Sequence, residues 1–284
     1  SNFEEVKFAN SLGLEVIITD HHLTPEILPP AYAILNPKQL DDNYPNKMLC
    51  GAGVAYKLVQ AMVMMMRSPR SDLGASLRSD LGAILPIGWE KWLLDLVAIA
   101  TISDMVPLTG ENRVLAYFGL KVLRKTPRVG LQQLYRALKI KPEFLTEDDV
   151  GFMIGPRLNS ASRMSHGREA YELLTTPDEA RAGALVTHLM EQNALRRISV
   201  EAILSFIEGA DDLISQPVLV AGADDWLPGV LGLAATKLSE RHSRPVFLWA
   251  KNSAGVIKGS CRSDGTVNVV RMMEVAGGDD FFSN

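Results

Sequence analysis

The spacing of apolar residues along the 284-residue chain changes period several times, and each change marks an element. Phe3, Val6, Ala9 and Leu12 recur at helical spacing and stop at Gly13, which predicts an amphipathic helix over 3–12. The β-branched run LEVIIT at 14–19 has the character of a strand buried on both faces of a parallel sheet, and it ends on Asp20-His21-His22. A second short strand, 31–35, ends on Asn36-Pro37. Open α/β sheets place ligands beyond the carboxyl ends of their strands, so both polar tips fall where a site is expected. Helical spacing returns over 51–66, entered through Gly51-Ala52-Gly53, where glycine allows close packing or close approach of a ligand. A strongly apolar helix over 89–103 ends at Asp104, and another follows over 112–123.

Thr146-Glu147-Asp148-Asp149 has the form of an N-cap with acidic first-turn residues. The helix it opens carries Phe152, Met153 and Ile154 and runs into Gly155-Pro156-Arg157-Leu158-Asn159-Ser160-Ala161-Ser162-Arg163. Residues 178–207 read as one long helix of the kind that connects domains. The last block alternates as strand 217–221, helix 230–241, strands 245–249 and 255–259, and helix 267–275. Residues 68–84 repeat Arg-Ser-Asp-Leu-Gly-Ala twice, too short a unit for a structural repeat, and are read as an expanded surface loop. The pattern is that of an α/β protein with a boundary near the long helix.

Composition narrows the class. With 47% hydrophobic and 22% charged residues, the chain is neither disordered, collagen-like nor a disulfide-held mini-protein. At roughly 100 to 200 residues per domain, its length suggests two domains. Lys and Arg number 29 and Asp and Glu 33, a net charge of −4, so any phosphate-binding surface must be a local cluster of Arg and Lys. Cys50 and Cys261 are too few for a disulfide scaffold and lack zinc-site spacing, so a reducing, cytoplasmic compartment is the default. The most apolar run, 92–102, is about half the ~20 residues of a membrane span.

Four segments could carry chemistry. Asp20, His21 and His22 offer carboxylate oxygen and imidazole nitrogen, a set suited to hydrolytic divalent metals, although an Asp capping a turn with histidines on backbone groups is equally open. Asp104 ends an apolar helix, where the macrodipole disfavours a carboxylate, so either a metal cation or solvent must compensate. Arg157, Asn159, Ser160, Ser162 and Arg163 supply forked and neutral donors that suit a nucleic-acid backbone, or form a solvated helix end. Lys258, Ser260, Arg262 and Ser263 surround Gly259 at a strand end, a loop that could hold a phosphate or simply be basic. Cys261 reads as a small semi-buried thiol, and His166, His188 and His242 receive no role.

Taken in order, these segments resemble the DHH phosphoesterase superfamily and, within it, the RecJ-like exonucleases. The resemblance runs through Ile17-Ile18-Thr19-Asp20-His21-His22-Leu23, Ile34-Leu35-Asn36-Pro37, Leu49-Cys50-Gly51-Ala52-Gly53, Asp95-Leu96-Val97-Ala98 and Asp104-Met105-Val106-Pro107-Leu108. It continues through Glu111-Asn112-Arg113, Gly155-Pro156-Arg157-Leu158-Asn159 and Lys258-Gly259-Ser260-Cys261-Arg262-Ser263, nearly the whole chain.

The resemblance implies a parallel-sheet α/β DHH catalytic domain at 1–176, a long connecting helix at 177–212 and a smaller α/β DHH-associated domain at 213–284, with nucleic acid bound between the domains. It implies His21 and Asp104 as metal ligands, His22 on the scissile phosphate or attacking water, and Asp20 as a buttress. Arg157, Asn159, Arg163, Lys258, Ser260, Arg262 and Ser263 become nucleic-acid contacts. The implied reaction is 5′ to 3′ hydrolysis of single-stranded DNA with two Mn²⁺ or Mg²⁺ ions, in repair and recombination, by a cytoplasmic monomer with a helicase or single-strand-binding protein as possible partner.

Aspartate motifs usual upstream and a Gly-Gly-His motif usual downstream are absent, so the resemblance implies an internal fragment with an incomplete two-metal site and little activity of its own. The family's small linker residues are Ser160-Ala161-Ser162 here, and a usual His is Leu227. Two other readings share these residues: a DHH phosphodiesterase of short oligonucleotides or cyclic dinucleotides, and a metal-less DHH-fold nucleic-acid-binding protein.

Overall fold

The computed structural model describes residues 2–67, 86–164 and 166–277, so the duplicated stretch at 68–84 lies outside the described residues. The chain divides into two units, Ser1–Pro156 and Arg157–Asn284. Among the described residues no helix is long and apolar enough to cross a membrane.

In the first unit, α1 (Phe3–Ser11) leads through Gly13 at φ +76° to β1 (Ile17–Thr19). β1 pairs in parallel with β2 (Ala33–Leu35) in the register Ile17↔Ala33 to Thr19↔Leu35, so the two strands end side by side. Asp20 N–H donates to Leu35 carbonyl at 3.0 Å and prolongs the pairing by one step. The expected strand over 14–19 is thus shorter, and Ile17 is 54% exposed instead of buried on both faces, because among the described residues only β2 lies beside it.

Beyond α2 (Gly51–Arg67), the expected single helix over 89–103 is a 3₁₀ segment, Trp89–Leu93, entered through Gly88 at φ +83°, followed by α3 (Leu94–Ser103). α3 is apolar all round and accordingly central, with Leu94, Val97, Ala98 and Ile99 buried. Its one acidic residue, Asp95, is buried but fully engaged: it accepts from Leu96 N–H at 2.7 Å, Thr126 Oγ1 at 2.8 Å and Arg128 Nε at 2.8 Å. α4 (Gly110–Leu123) crosses α3 at Gly119, where a Cβ would stand 2.4 Å from Ala98 Cβ. α5 (Val129–Leu138) follows, and a π-helical turn, Asp149–Ile154, closes the unit.

The second unit begins in the first turn of α6 (Gly155–Met164), so the polar segment 157–163, expected with the first domain, packs within the second. α7 (Arg168–Thr175) precedes α8 (Glu179–Glu208), whose cap Asp178 accepts from Ala180 and Arg181 N–H at 2.8 and 3.0 Å. Then come α9 (Asp211–Ile214), β3 (Leu219–Gly222), α10 (Pro228–His242), β4 (Val246–Lys251), β5 (Ile257–Arg262) and α11 (Val269–Ala276). The sheet has the order β3-β4-β5, parallel at the first pairing and antiparallel at the second.

Val200, Ile203, Leu204 and Ile207 of α8 join Leu219, Leu231, Leu238, Val246 and Leu248 in the core, so the long helix is half scaffold of this unit. The β4–β5 turn is fixed by Asn252, whose Oδ1 accepts from Ala254 and Val256 N–H at 3.0 and 2.9 Å, with Gly255 at φ +76°. That register carries β5 on to Arg262, opposite Val246. Lys258, Ser260 and Arg262 therefore lie within a strand, on one face by alternation, where the sequence suggested a loop after it.

Candidate functional site

The tip of β1 folds back on itself through Asp20. Its Oδ1 accepts from His21 N–H at 2.7 Å and His22 N–H at 3.3 Å and pairs with His22 Nδ1 at 2.7 Å. Burial pushes the Asp20 carboxyl up, but the bonds from the His22 ring and the two backbone N–H groups outweigh it and hold the group below the usual aspartate range. The His22 side chain, 76% exposed, is thereby oriented through one ring nitrogen with the other at its outer edge. Asn36 at the tip of β2 is buried and donates from Nδ2 to His22 carbonyl at 2.9 Å, a bond that the in-phase ends of the two strands make possible.

His21 turns the other way. Its Nδ1 stands 3.4 Å from Asp104 Oδ2, and its ring rests on the start of α2, where a Cβ at Gly51 would lie 3.3 Å from Cδ2. The glycine entry read from the sequence is thus a close approach to a site histidine. The rings of His21 and His22 are 4.4 Å apart, and Asp20, His21 and His22 can offer ligand atoms within 4.8 Å of one another. Asp104 is the residue that ends α3, its N–H still bonded to Ala100 carbonyl at 2.9 Å, and Met105 then leaves in the left-handed region at φ +56°. Buried Asn112 pins the turn that follows: its Nδ2 donates to Met48 carbonyl at 2.7 Å and Pro107 carbonyl at 3.1 Å, and its Oδ1 accepts from Asn46 at 3.0 Å. One amide therefore fixes both the Asp104 turn and the segment leading to Gly51.

In the second unit, α6 presents Asn159 and Arg163 to solvent and half-buries Arg157. Burial and the nearby Arg197 charge hold the Arg157 guanidinium below the usual arginine range. Ser160, grouped with these from the sequence, is fully buried: its Oγ donates to Arg157 carbonyl at 2.6 Å and reaches Leu189 carbonyl at 3.4 Å, so it seats α6 on α8.

The first turns of α10 take two close approaches. A Cβ at Gly229 would stand 2.0 Å from Arg163 carbonyl oxygen, and Arg163 Nη1 donates to Gly229 carbonyl at 3.3 Å. Three residues on, a Cβ at Gly232 would stand 3.0 Å from Ser260 Oγ and 3.3 Å from Arg262 Nη2. Arg163, Ser260 and Arg262 thus meet one helix beginning, whose dipole favours an anion, while Pro228 lacks an N–H and Val230 N–H is bonded to Leu227 carbonyl at 3.1 Å. Lys258 is exposed on the same strand face. Ser263 instead shapes its loop, accepting from Gly265 and Val267 N–H at 3.2 and 3.4 Å.

Family models separate the chain along similar lines: the DHH family, N-terminal domain, matches residues 1–101 and the DHHA1 domain matches 215–280. The single-stranded-DNA-specific exonuclease RecJ of Haemophilus influenzae is 36% identical over 271 residues, 93% of this chain and 45% of that protein. The chain carries a DHH-family domain and a DHHA1 domain. RecJ of Bacillus subtilis is 37% identical over 262 residues, 91% of this chain and 30% of that one, so this chain spans less than half the length of these curated relatives. The crystal structure of Thermus thermophilus RecJ in complex with Mn²⁺ superposes with a TM-score of 0.77 at 33% identity, covering 97% of this chain and 38% of that one. The same protein in complex with Mg²⁺ gives 0.71 at 34% identity, covering 93% and 36%.

The motifs singled out the side chains that face each other at the tip of β1 but not those that hold them. Asn36 was visible as the polar end of the second strand, equivalent in position to Asp20. Asn112 and Gly51 stood inside quoted motifs, with nothing in their spacing to show that they converge. Arg196, whose charge acts beside those of Arg163 and Arg157, had no motif at all.

Proposed function

We propose that the protein is a divalent-metal-dependent exonuclease that hydrolyses phosphodiester bonds of single-stranded DNA from the 5′ end, in repair and recombination. The observation that carries this reading is the facing pair His21 Nδ1 and Asp104 Oδ2 at 3.4 Å, brought together from a strand tip and a helix end. Adjacent ligands on one octahedral ion with bonds of about 2.1 Å are about 3 Å apart, so the pair needs to close by only about 0.4 Å to hold Mn²⁺ or Mg²⁺. A nitrogen and a carboxylate oxygen are also donors these ions accept. Such an ion, when bound, lowers the pKa of a water and stabilises the leaving oxygen.

The residues of this chain then divide the work. His21 and Asp104 hold the metal, and Asp20 fixes His22 so that its outer nitrogen meets the scissile phosphate or the attacking water. Arg163, Ser260 and Arg262, with Lys258 beside them, hold the strand's phosphates at the start of α10, and Asn159 and Arg157 extend the contact along α6. Ser263 supports this surface by closing the loop after β5. The RecJ relatives support DNA as the substrate; a helicase or single-strand-binding protein would supply the single strand, and a monomer in the cytoplasm suffices for the reaction.

The test uses the full natural protein with Asp104→Asn and His21→Ala. Mn²⁺ titration by calorimetry and degradation of a 5′-phosphorylated single strand are measured together. Both variants are expected to lose Mn²⁺ affinity by about 100-fold or more, above the 10–100-fold typical of residues that only orient a ligand, and hydrolysis with it. Unchanged metal affinity and hydrolysis in both would overturn the assignment.

A further inference from the structure

We propose that Arg196 and Arg197, midway along α8, form a further binding site for the sugar-phosphate backbone of a single strand, continuous with the arginines of α6. The proposal rests on the nuclease reading above and adds residues that no motif marks.

Asn193, Arg196, Arg197 and Val200 recur at i, i+3, i+4 and i+7, which puts them on one stripe of the helix. Asn193 and Val200 are buried and hold the stripe against the unit. Arg196 is fixed in place: its Nε and Nη2 both donate to Asn193 Oδ1, at 3.3 and 3.0 Å. That acceptor is neutral, so the bond orients the guanidinium without cancelling its charge. Arg196 and Arg197 line a cleft of about 570 Å³ together with Ile198, Glu201 and Lys237. The acid there, Glu201, is engaged by Lys237 at 3.7 Å.

Like charges crowd this stripe. Burial and the charges of Arg163, Arg157 and Arg197 hold the Arg196 guanidinium below the usual arginine range. Arg196 thus sits in the field of three other arginines, a cost in the unbound protein that a polyanion offsets. The four lie along two helices, α6 and α8, instead of converging on one point, which suits successive phosphates of a strand better than one isolated phosphate. An ordered guanidinium fork is the donor that recognises a phosphate bidentately.

The test measures binding of a 3′-labelled oligothymidylate by fluorescence anisotropy across a salt series, in the full natural protein with Ca²⁺ and no Mn²⁺. Arg196→Gln, Arg197→Gln and the double variant are compared with wild type and with Arg271→Gln as a control on an exposed arginine of α11 paired with Glu274. Each phosphate contact contributes about 0.7 to the slope of log K against log salt on a single strand, so each single variant is expected to flatten the slope by about 0.7 and the double variant by about 1.4. Affinity falls at low salt while kcat with saturating strand and Mn²⁺ stays within about twofold, since these residues contact the strand and not the reacting atoms. Arg196→Lys keeps the charge but not the fork and should restore the slope more than the affinity.

If wild type binds and the variants bind with the same slope, the proposal fails and the nuclease reading stands. Lost affinity with an unchanged slope would mean a structural role only, and overturns it as well. If wild type does not bind the strand at all, the nuclease reading falls and takes this site with it.

Discussion

Replacing Gly119 by alanine tests whether the packing of α3 on α4 sets the position of Asp104. The added Cβ would lie 2.4 Å from Ala98 Cβ and 2.5 Å from Leu94 carbonyl oxygen. Carbon atoms pack best at about 3.5–4.0 Å, so the two helices must separate by about 1 Å. Neither neighbour can swing aside, since one is backbone and the other is the methyl of a residue with no exposed surface. Overpacking of this kind costs about 1–3 kcal/mol, and this site belongs at the upper end. Alanine returns about 0.8–1.0 kcal/mol of helix propensity, which leaves a net loss of about 1–2 kcal/mol.

Gly183→Ala on α8 is the opposite case, with nothing within 4 Å of its Cβ, and should gain up to about 1 kcal/mol. Urea unfolding followed by circular dichroism gives the sign of each change. Because α3 carries Asp104 at its end, Gly119→Ala should also weaken Mn²⁺ binding, measured by calorimetry, whereas Gly183→Ala should not. A Gly119→Ala protein as stable as wild type, with full Mn²⁺ affinity, would refute the argument.

Asp95→Ala removes the acceptor shared by Thr126, Arg128 and Leu96 in a buried setting, and truncating one side of such a buried charge network costs about 3–5 kcal/mol; a urea midpoint unchanged from wild type would count against it. Glu172 accepts two bonds from Arg181 at 2.6 and 2.7 Å, and these hold its carboxyl below the usual glutamate range. Its contribution is therefore present above the ordinary glutamate pKa and is lost as pH falls through the lowered value. Glu172→Gln should flatten the acid limb of a melting-temperature profile, and an identical acid limb in both proteins would contradict that sign.

What the sequence revealed and what it concealed divide by range. The β-branched character of LEVIIT, although only 17–19 form the strand, and the long apolar stripe of α8 are local, and local rules reach them. Asp20 and His22 are two residues apart, so their contact was also within reach. His21 and Asp104 belong to different elements, and only the register of β1 with β2 and the Asn112 bridge bring them face to face. Serine at 160 looks like a surface hydroxyl until α8 is laid over it. Gly119 and Gly229 sit inside helices, where propensity alone would count them as weak points, while each marks a backbone approached too closely for any side chain. Arg196 and Arg197 belong to no motif, and nothing in the sequence places α6 beside them.

The two glycines of α10 act as a ruler. They are three residues apart, and a helix rises about 1.5 Å per residue, so the stations for Arg163 and for Ser260 with Arg262 are offset by about 4.5 Å along a rigid backbone. That offset does not depend on any side chain of α10. The outward positions of α10 do not enter that pitch, whereas a substitution at Gly229, whose neighbour is the Arg163 backbone, changes the gauge itself and leaves every basic side chain intact but mis-spaced.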